Sequence, residues 1–172
     1  MENMWRSTSL PYVLPNQEGR ADAWTQASGT QELLEVGEVY PPADVAAALQ
    51  LSDGEPAVVR RRRMRMDGLA VELTDSYYPT GIARGTQLAE HRKIRGGAPT
   101  LLASLGYRPA AVLEDIAIHL ATDAECAALE APAGEPVMVL LRTTVSQDDR
   151  PIEVSRMVMR RGSRLHYEIE VN

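Results

Sequence analysis

Phenylalanine is missing from the 172 residues, and cysteine occurs once, at Cys126. Core volume must therefore come from Leu, Val, Ile, Met, Tyr and Ala. One cysteine excludes an internal disulfide and a multi-thiolate zinc site, and a reducing cytoplasm is the simple expectation. The three histidines, His91, His119 and His166, stand far apart and match no metal spacing, so no metal and no cofactor is expected. Basic excess is lacking too. The formal net charge is −6, which argues against a general nucleic-acid binder. No apolar run approaches the length of a membrane span, and the opening MENMWRST does not read as a secretory signal. No Ser-His-Asp or Cys-His set stands in a recognisable context, and no glycine-rich phosphate loop appears, so no catalytic residue is assigned.

What is present fits one domain plus a tail, long enough to bury a core without staples. Residues 1–35 read as an N-terminal arm or linker. They hold no sustained periodicity up to Gly29, carry Trp5 and Trp24 as isolated anchors, and lack a helix-turn-helix pattern. From about residue 30 the chain alternates short helices and strands. Strands are expected over 30–40, 112–120, 137–145, 152–160 and 167–171, and helices over 44–51, 100–105 and from Thr122. Thr122 with Glu125 makes a capping box.

The organising stretch is Ala57 to Pro79, AVVRRRRMRMDGLAVELTDSYYP: a strand, a tight turn at Asp67-Gly68, and a second strand. Alternation puts Arg61, Arg63 and Arg65 on one face, roughly 7 Å apart, and Val58, Arg60, Arg62, Met64 and Met66 on the other. Clustered guanidiniums are costly to bury unpaired, so something anionic should lie against them.

The chain also matches itself at an offset of 80 residues. Ala46-Ala47-Ala48-Leu49 lies over Cys126-Ala127-Ala128-Leu129, Gly54-Glu55-Pro56 over Gly134-Glu135-Pro136, and Arg62 over Arg142; with a one-residue gap, Glu72 lies over Glu153. Each half reads helix, GEP turn, strand, hairpin, strand. The expected fold is α+β: a mostly antiparallel sheet flanked by helices, with a pseudo-two-fold repeat. A cleft between the halves, bordered by Arg63 and Arg65 on one side and Glu153 on the other, is the expected small-molecule site.

In order, PPADVAAALQL, GEPAVVRRRRMRMDG, SYYP, GYRP, ATDAECAALEAPAGEPV and DDRPIEVSRMVMR resemble the UTRA domain, the effector-binding domain of HutC-type GntR transcription regulators. The resemblance spans roughly Gly37 to the C-terminus, so the UTRA domain is expected over residues 36–172. It implies a fold similar to chorismate lyase, a homodimer, and DNA contact only through a winged-helix domain that residues 1–35 do not supply. It also implies a small anionic effector: a sugar phosphate, an amino acid or a carboxylic acid. By resemblance, the family's R-x-R strand matches Arg63-Met64-Arg65, its acid after the second hairpin turn matches Glu153, and its helix-start hydroxyl matches Thr100. Tyr77 and Tyr78 read as core or cleft wall. Thr74 stands where many members carry glutamate and Met159 where many carry tyrosine, which points to a different or less polar effector. The other readings are a chorismate lyase-like enzyme acting on a small carboxylic acid, and a dimerisation module with an empty cleft.

Overall fold

The computed structural model describes residues 6–7, 9–16, 24 and 27–168. The elements are β1 (Arg6–Ser7), α1 (Leu10–Val13), β2 (Thr30–Val39), α2 (Ala43–Ala48), β3 (Ala57–Met66), β4 (Leu69–Pro79) and α3 (Thr80–Ala83). A 3-10 turn at Gln87–Ala89, α4 (Ala98–Ser104), β5 (Pro109–Leu120), α5 (Asp123–Leu129), β6 (Pro136–Ser146), β7 (Pro151–Met159) and β8 (Tyr167–Glu168) follow. Trp5, expected as an anchor, lies outside the described residues, as does the end of the expected last strand.

Six strands form one antiparallel sheet in the order β2-β3-β4-β7-β6-β5. That order is its own mirror image under exchange of the two repeats, so the pseudo-two-fold passes between β4 and β7. Asp75 maps onto Arg156 in the repeat, and these two residues are register partners across that seam. The helices obey the same symmetry. Val45 and Leu49 of the first unit pack on Ala57, Val59 and Tyr77; Cys126 and Leu129 of the second pack on Val137, Val139 and Val158. α2 and α5 thus cover one face of the sheet. The capping box forms as expected: Thr122 Oγ1 accepts from the Glu125 amide at 3.2 Å, and Glu125 accepts from the Thr122 amide at 2.9 Å. A cap of this kind contributes on the order of 1 kcal/mol.

The opposite face is roofed differently. Ile82, Leu88, Ile94 and Leu102, from residues 80–107, pack on Val58, Tyr78 and Ile152. The N-terminal arm crosses the remaining part, and β1 pairs with β8 beside it. Between roof and sheet lies the cavity that positions the site.

Both hairpins carry a one-residue bulge at equivalent places. In the first, the Asp67-Gly68 turn, with φ of 50° and 80°, pairs Met66 with Leu69 and Arg65 with Ala70. The register then shifts, and Met64 faces Glu72 with Val71 left over. In the second, Val145 faces Pro151 but Thr144 faces Glu153, leaving Ile152 over. A bulge turns every later side chain of one strand onto the other face relative to its partner. Without it, Arg61 and Arg63 would share a face with Thr74 and Glu72. With it, Arg62 and Met64 do.

Candidate functional site

The cavity measures about 890 Å³. Its floor is the sheet face bearing the even-numbered residues of β3 and β4. Arg62 faces Thr74 across the strands, and Thr74 faces Met157 of β7, which faces Leu140 of β6. The next row runs Arg60, Ser76, Ser155, Arg142 and Glu114. Met64, Glu72 and Met159 close one end, while Tyr78 and Glu153 lie toward the other.

Three arginines reach this floor, and their surroundings differ. Arg60 is buried, and its guanidinium donates to the carbonyls of Gln87, Leu88, Glu90 and Arg92 at 2.7–3.1 Å. It pins the roof to the sheet and has little left to offer a ligand. Arg142 is buried too, its Nε donating to Glu114 at 2.7 Å and its Nη2 to the Ser9 hydroxyl at 2.7 Å. Tyr167 donates to the other Glu114 oxygen at 2.6 Å. Burial raises the Glu114 carboxyl, but hydrogen bonds from Ser9, Tyr167 and Arg142 outweigh it and hold the group below its usual range.

Arg62 has no such partner. Its Nη2 donates to Ser76, its Nε is buried without a hydrogen bond, and among the described residues no carboxylate lies within 4.0 Å. The register position that Glu114 occupies opposite Arg142 is filled opposite Arg62 by Leu33. Beside it, the Tyr78 hydroxyl is fully buried and also lacks a partner, because Ser76 Oγ is engaged by Arg62 and Ser155. Burial, and then the nearby Glu153 carboxylate, push the Tyr78 phenol far up. Both atoms are closed off from solvent, and such unsatisfied groups cost roughly 1–3 kcal/mol each. Arg62 reaches the cavity through the rest of its guanidinium, whose Nη1 makes no hydrogen bond among the described residues.

The acids complete the floor. Glu72 accepts from Thr74 Oγ1, and burial pushes its carboxyl up despite that bond and the more distant Arg142 and Arg62. Glu153 accepts from Ser155 at 2.7 Å. The methionines Met157 and Met159 cluster with Leu140, Met138 and Leu165 along the wall.

Of the residues singled out from the sequence, Thr74, Glu153 and Met159 meet on this cavity. Arg63 and Arg65 do not, which corrects the expected cleft. They lie on the other face, where Arg63 holds Glu32 at 2.7 Å and the Ala128 carbonyl at 3.3 Å, and Arg65 holds Glu130. Glu130 is the C-cap of α5, so both guanidiniums sit at the negative end of that helix and fasten it to β3. Tyr77 lies on that face as well, buried among Val45, Leu49 and Val154. Thr100 is not a cap: α4 begins at Ala98 after Gly97, and the Thr100 hydroxyl donates to Gly96 O at 2.8 Å while accepting from the Asn16 amide at 3.0 Å. It moors the N-terminal arm. Tyr78, read with Tyr77 as core or cleft wall, lines the cavity, whereas Arg62, Glu72 and Ser155 were not singled out as site residues. The repeat did carry the signal, because it aligns Arg62 with Arg142 and Glu72 with Glu153.

The arm supplies part of the enclosure. Ser9 binds Arg142, Asn16 binds Gly96 O at 3.1 Å, and Trp24 donates to Thr30 O at 2.9 Å, with Tyr12 tilted against its ring at 6.3 Å. Among the described residues no group of three or more His, Cys, Asp or Glu is placed to hold a metal ion, and no helix is long and apolar enough to cross a membrane.

Comparison with known proteins places this geometry. No curated protein matches the chain. Among solved structures, it resembles the ligand-binding domain of a protein assigned to the GntR family of transcriptional regulators in Bordetella bronchiseptica. The identity is 24%, over 94% of this chain and 96% of that one, with a TM-score of 0.69. It equally resembles the effector domain of PhnF from Mycobacterium smegmatis, at 24% identity over 86% of this chain and 92% of that one, with a TM-score of 0.69. Against the longer PhnF chain, the match covers 85% of this chain and 65% of that one, at 23% identity and a TM-score of 0.69. At such identities the likeness is one of fold. The UTRA domain model itself matches residues 27–164. With four-fifths of its length matched by that model, the chain belongs to the UTRA domain family.

Proposed function

We propose that this chain is the effector-binding domain of a HutC-type GntR transcription regulator, in which a small molecule held in the roofed cavity biases an attached winged-helix domain on DNA. The structures it resembles include the ligand-binding domain of a GntR-family transcriptional regulator and the effector domain of PhnF, which favours a sensor over the chorismate lyase-like alternative. One observation carries the reading: Arg62, which has no carboxylate partner among the described residues, lines a cavity of ligand size. Arg62 takes the ligand's anionic group, Thr74 and the acids Glu72 and Glu153 at the two ends of the cavity offer partners to its hydroxyl or amine groups, and Met159 lines its body. The ligand controls DNA binding only to the extent that it prefers one arrangement of the domains.

A cytoplasmic homodimer is part of the proposal. β5 ends the sheet and exposes Leu113, Ile118 and Leu120, each more than half accessible. Such an apolar edge is a hazard in a monomer and an asset in a dimer.

Thermal-shift screening of sugar phosphates, amino acids and carboxylic acids tests the reading, alongside native mass spectrometry of what co-purifies. A stabilising ligand whose effect disappears in Arg62→Gln supports it. Turnover of chorismate, or a protein to which nothing binds, overturns it.

A further inference from the structure

The cavity floor has a charge pattern that restricts the kind of effector. We propose that the effector of this site is a zwitterion with an apolar body, of the hydrophobic amino-acid class, its carboxylate on Arg62 and its amine on Glu72. This rests on the cavity being an effector site and narrows what that effector is.

The cation count comes first. Arg142 is neutralised by Glu114, and Arg60 is enclosed by four carbonyls. Lys93 and Arg164 lie at the exposed rim, where water and salt screen them. Among the described residues Arg62 is left as the one interior guanidinium with donors to give. Its Nη1 makes no hydrogen bond among them and, beside the Nη2 that binds Ser76, forms an edge suited to a carboxylate.

The acids come second. Glu72 stands one register step from Arg62, opposite Met64, and forms no salt bridge among the described residues. Glu153 lies beyond Tyr78, about 20 Å along the sheet from Glu72 at a strand's rise per residue. A doubly charged phosphate at Arg62 would meet one guanidinium and a neighbouring carboxylate. A ligand carrying one negative and one positive group satisfies both side chains. Burial already disfavours the ionised Glu72 carboxyl, and an adjacent ammonium restores it.

The wall comes third. Met64, Met157, Met159, Leu140, Leu33 and Leu165 surround this end of the cavity. Methionine-rich walls adapt to apolar bodies of varied shape and offer nothing to sugar hydroxyls.

Calorimetric titration of the intact chain with L-leucine, L-methionine and L-phenylalanine tests this. 4-Methylpentanoate, which is leucine without its amine, isoamylamine, and glucosamine 6-phosphate serve as comparisons. At least one amino acid is expected to bind tenfold or more tightly than the amine-free and carboxylate-free analogues. Glu72→Gln should erase most of the preference over 4-methylpentanoate while the variant keeps wild-type melting behaviour or better. Three outcomes overturn the proposal: no binding of any amino acid at millimolar concentration, equal affinity for 4-methylpentanoate, or tighter binding of glucosamine 6-phosphate. In the last case, loss of that binding in Arg62→Gln would leave the cavity as an effector site of another class. Loss only in Lys93→Ala or Arg164→Ala would move the site to the rim.

Discussion

Arg62 and Arg142 occupy equivalent positions in the two halves of the sheet, face the same cavity, and differ in their partners. Arg142 holds Glu114 at 2.7 Å, whereas the matching position beside Arg62 is Leu33. A near-symmetric scaffold thus carries one arginine committed to structure and one with free donors. The break in symmetry separates the part of the cavity that holds the fold together from the part where a ligand is proposed to bind.

Replacing Arg62 should remove ligand binding and leave the fold intact. Losing one side of a desolvated charge contact costs roughly 2–5 kcal/mol of affinity. Arg63→Ala and Arg65→Ala should leave affinity within a few-fold of wild type, because both side chains bind Glu32 and Glu130 on the other face. Each should cost stability by roughly 1 kcal/mol or less, as partly exposed ion pairs do. Calorimetry on the three variants separates these outcomes.

Arg142→Ala should behave in the opposite way. It strands a buried Glu114 and releases Ser9, so unfolding in urea should show a loss of about 3–5 kcal/mol. Replacing both partners, as in Glu114→Leu with Arg142→Leu, should recover much of that loss, because an apolar pair leaves no charge uncompensated.

The pH dependence follows from two glutamates shifted in opposite senses. Glu114 is held below its usual range, so its stabilisation is complete above the unfolded value, about 4.3, and fades as pH falls through the lower folded value. Glu114→Gln should therefore be less stable than wild type at pH 7, with the gap closing in acid. Glu72 is pushed up by burial, so the unfolded state gives up its proton first: the cost to folding begins above the unfolded value, about 4.3, and is complete above the raised folded value. Glu72→Gln should melt higher than wild type at pH 7, and the advantage should shrink as pH falls through the folded value and vanish below about pH 4. Melting curves across that range check both signs.

Tyr78→Phe should also raise the stability of the ligand-free protein, since it removes a buried hydroxyl that bonds nothing. Thermal melts of the ligand-free variant and wild type check the sign.

Much of this was legible in the residues. The Asp67-Gly68 turn, the Thr122–Glu125 cap and the 80-residue repeat were enough to predict two helix-hairpin units in one antiparallel sheet. The family pattern pointed to Glu153, Thr74 and Met159, which do line the cavity. The arginines were misassigned for a local reason. Alternation separates Arg62 from Arg63 but does not say which face is roofed, because apolar residues begin both faces: Val58 and Tyr78 on one, Val59 and Tyr77 on the other. The bulge at Val71 then decides which arginines share a face with Thr74, and a one-residue bulge leaves no mark in hydrophobic periodicity. The mooring of the arm was hidden too. Ser9 meets Arg142 across 133 positions, a distance over which no spacing rule acts.

The central claim is that the ligand's negative group lies on Arg62, on the roofed face of the sheet. The most direct test is a crystal structure of the protein with whatever ligand co-purifies or shifts its melting. The account predicts the anionic group within hydrogen-bond distance of the Arg62 guanidinium. A ligand lodged against Arg63 and Arg65, with the roofed cavity unchanged, would contradict it.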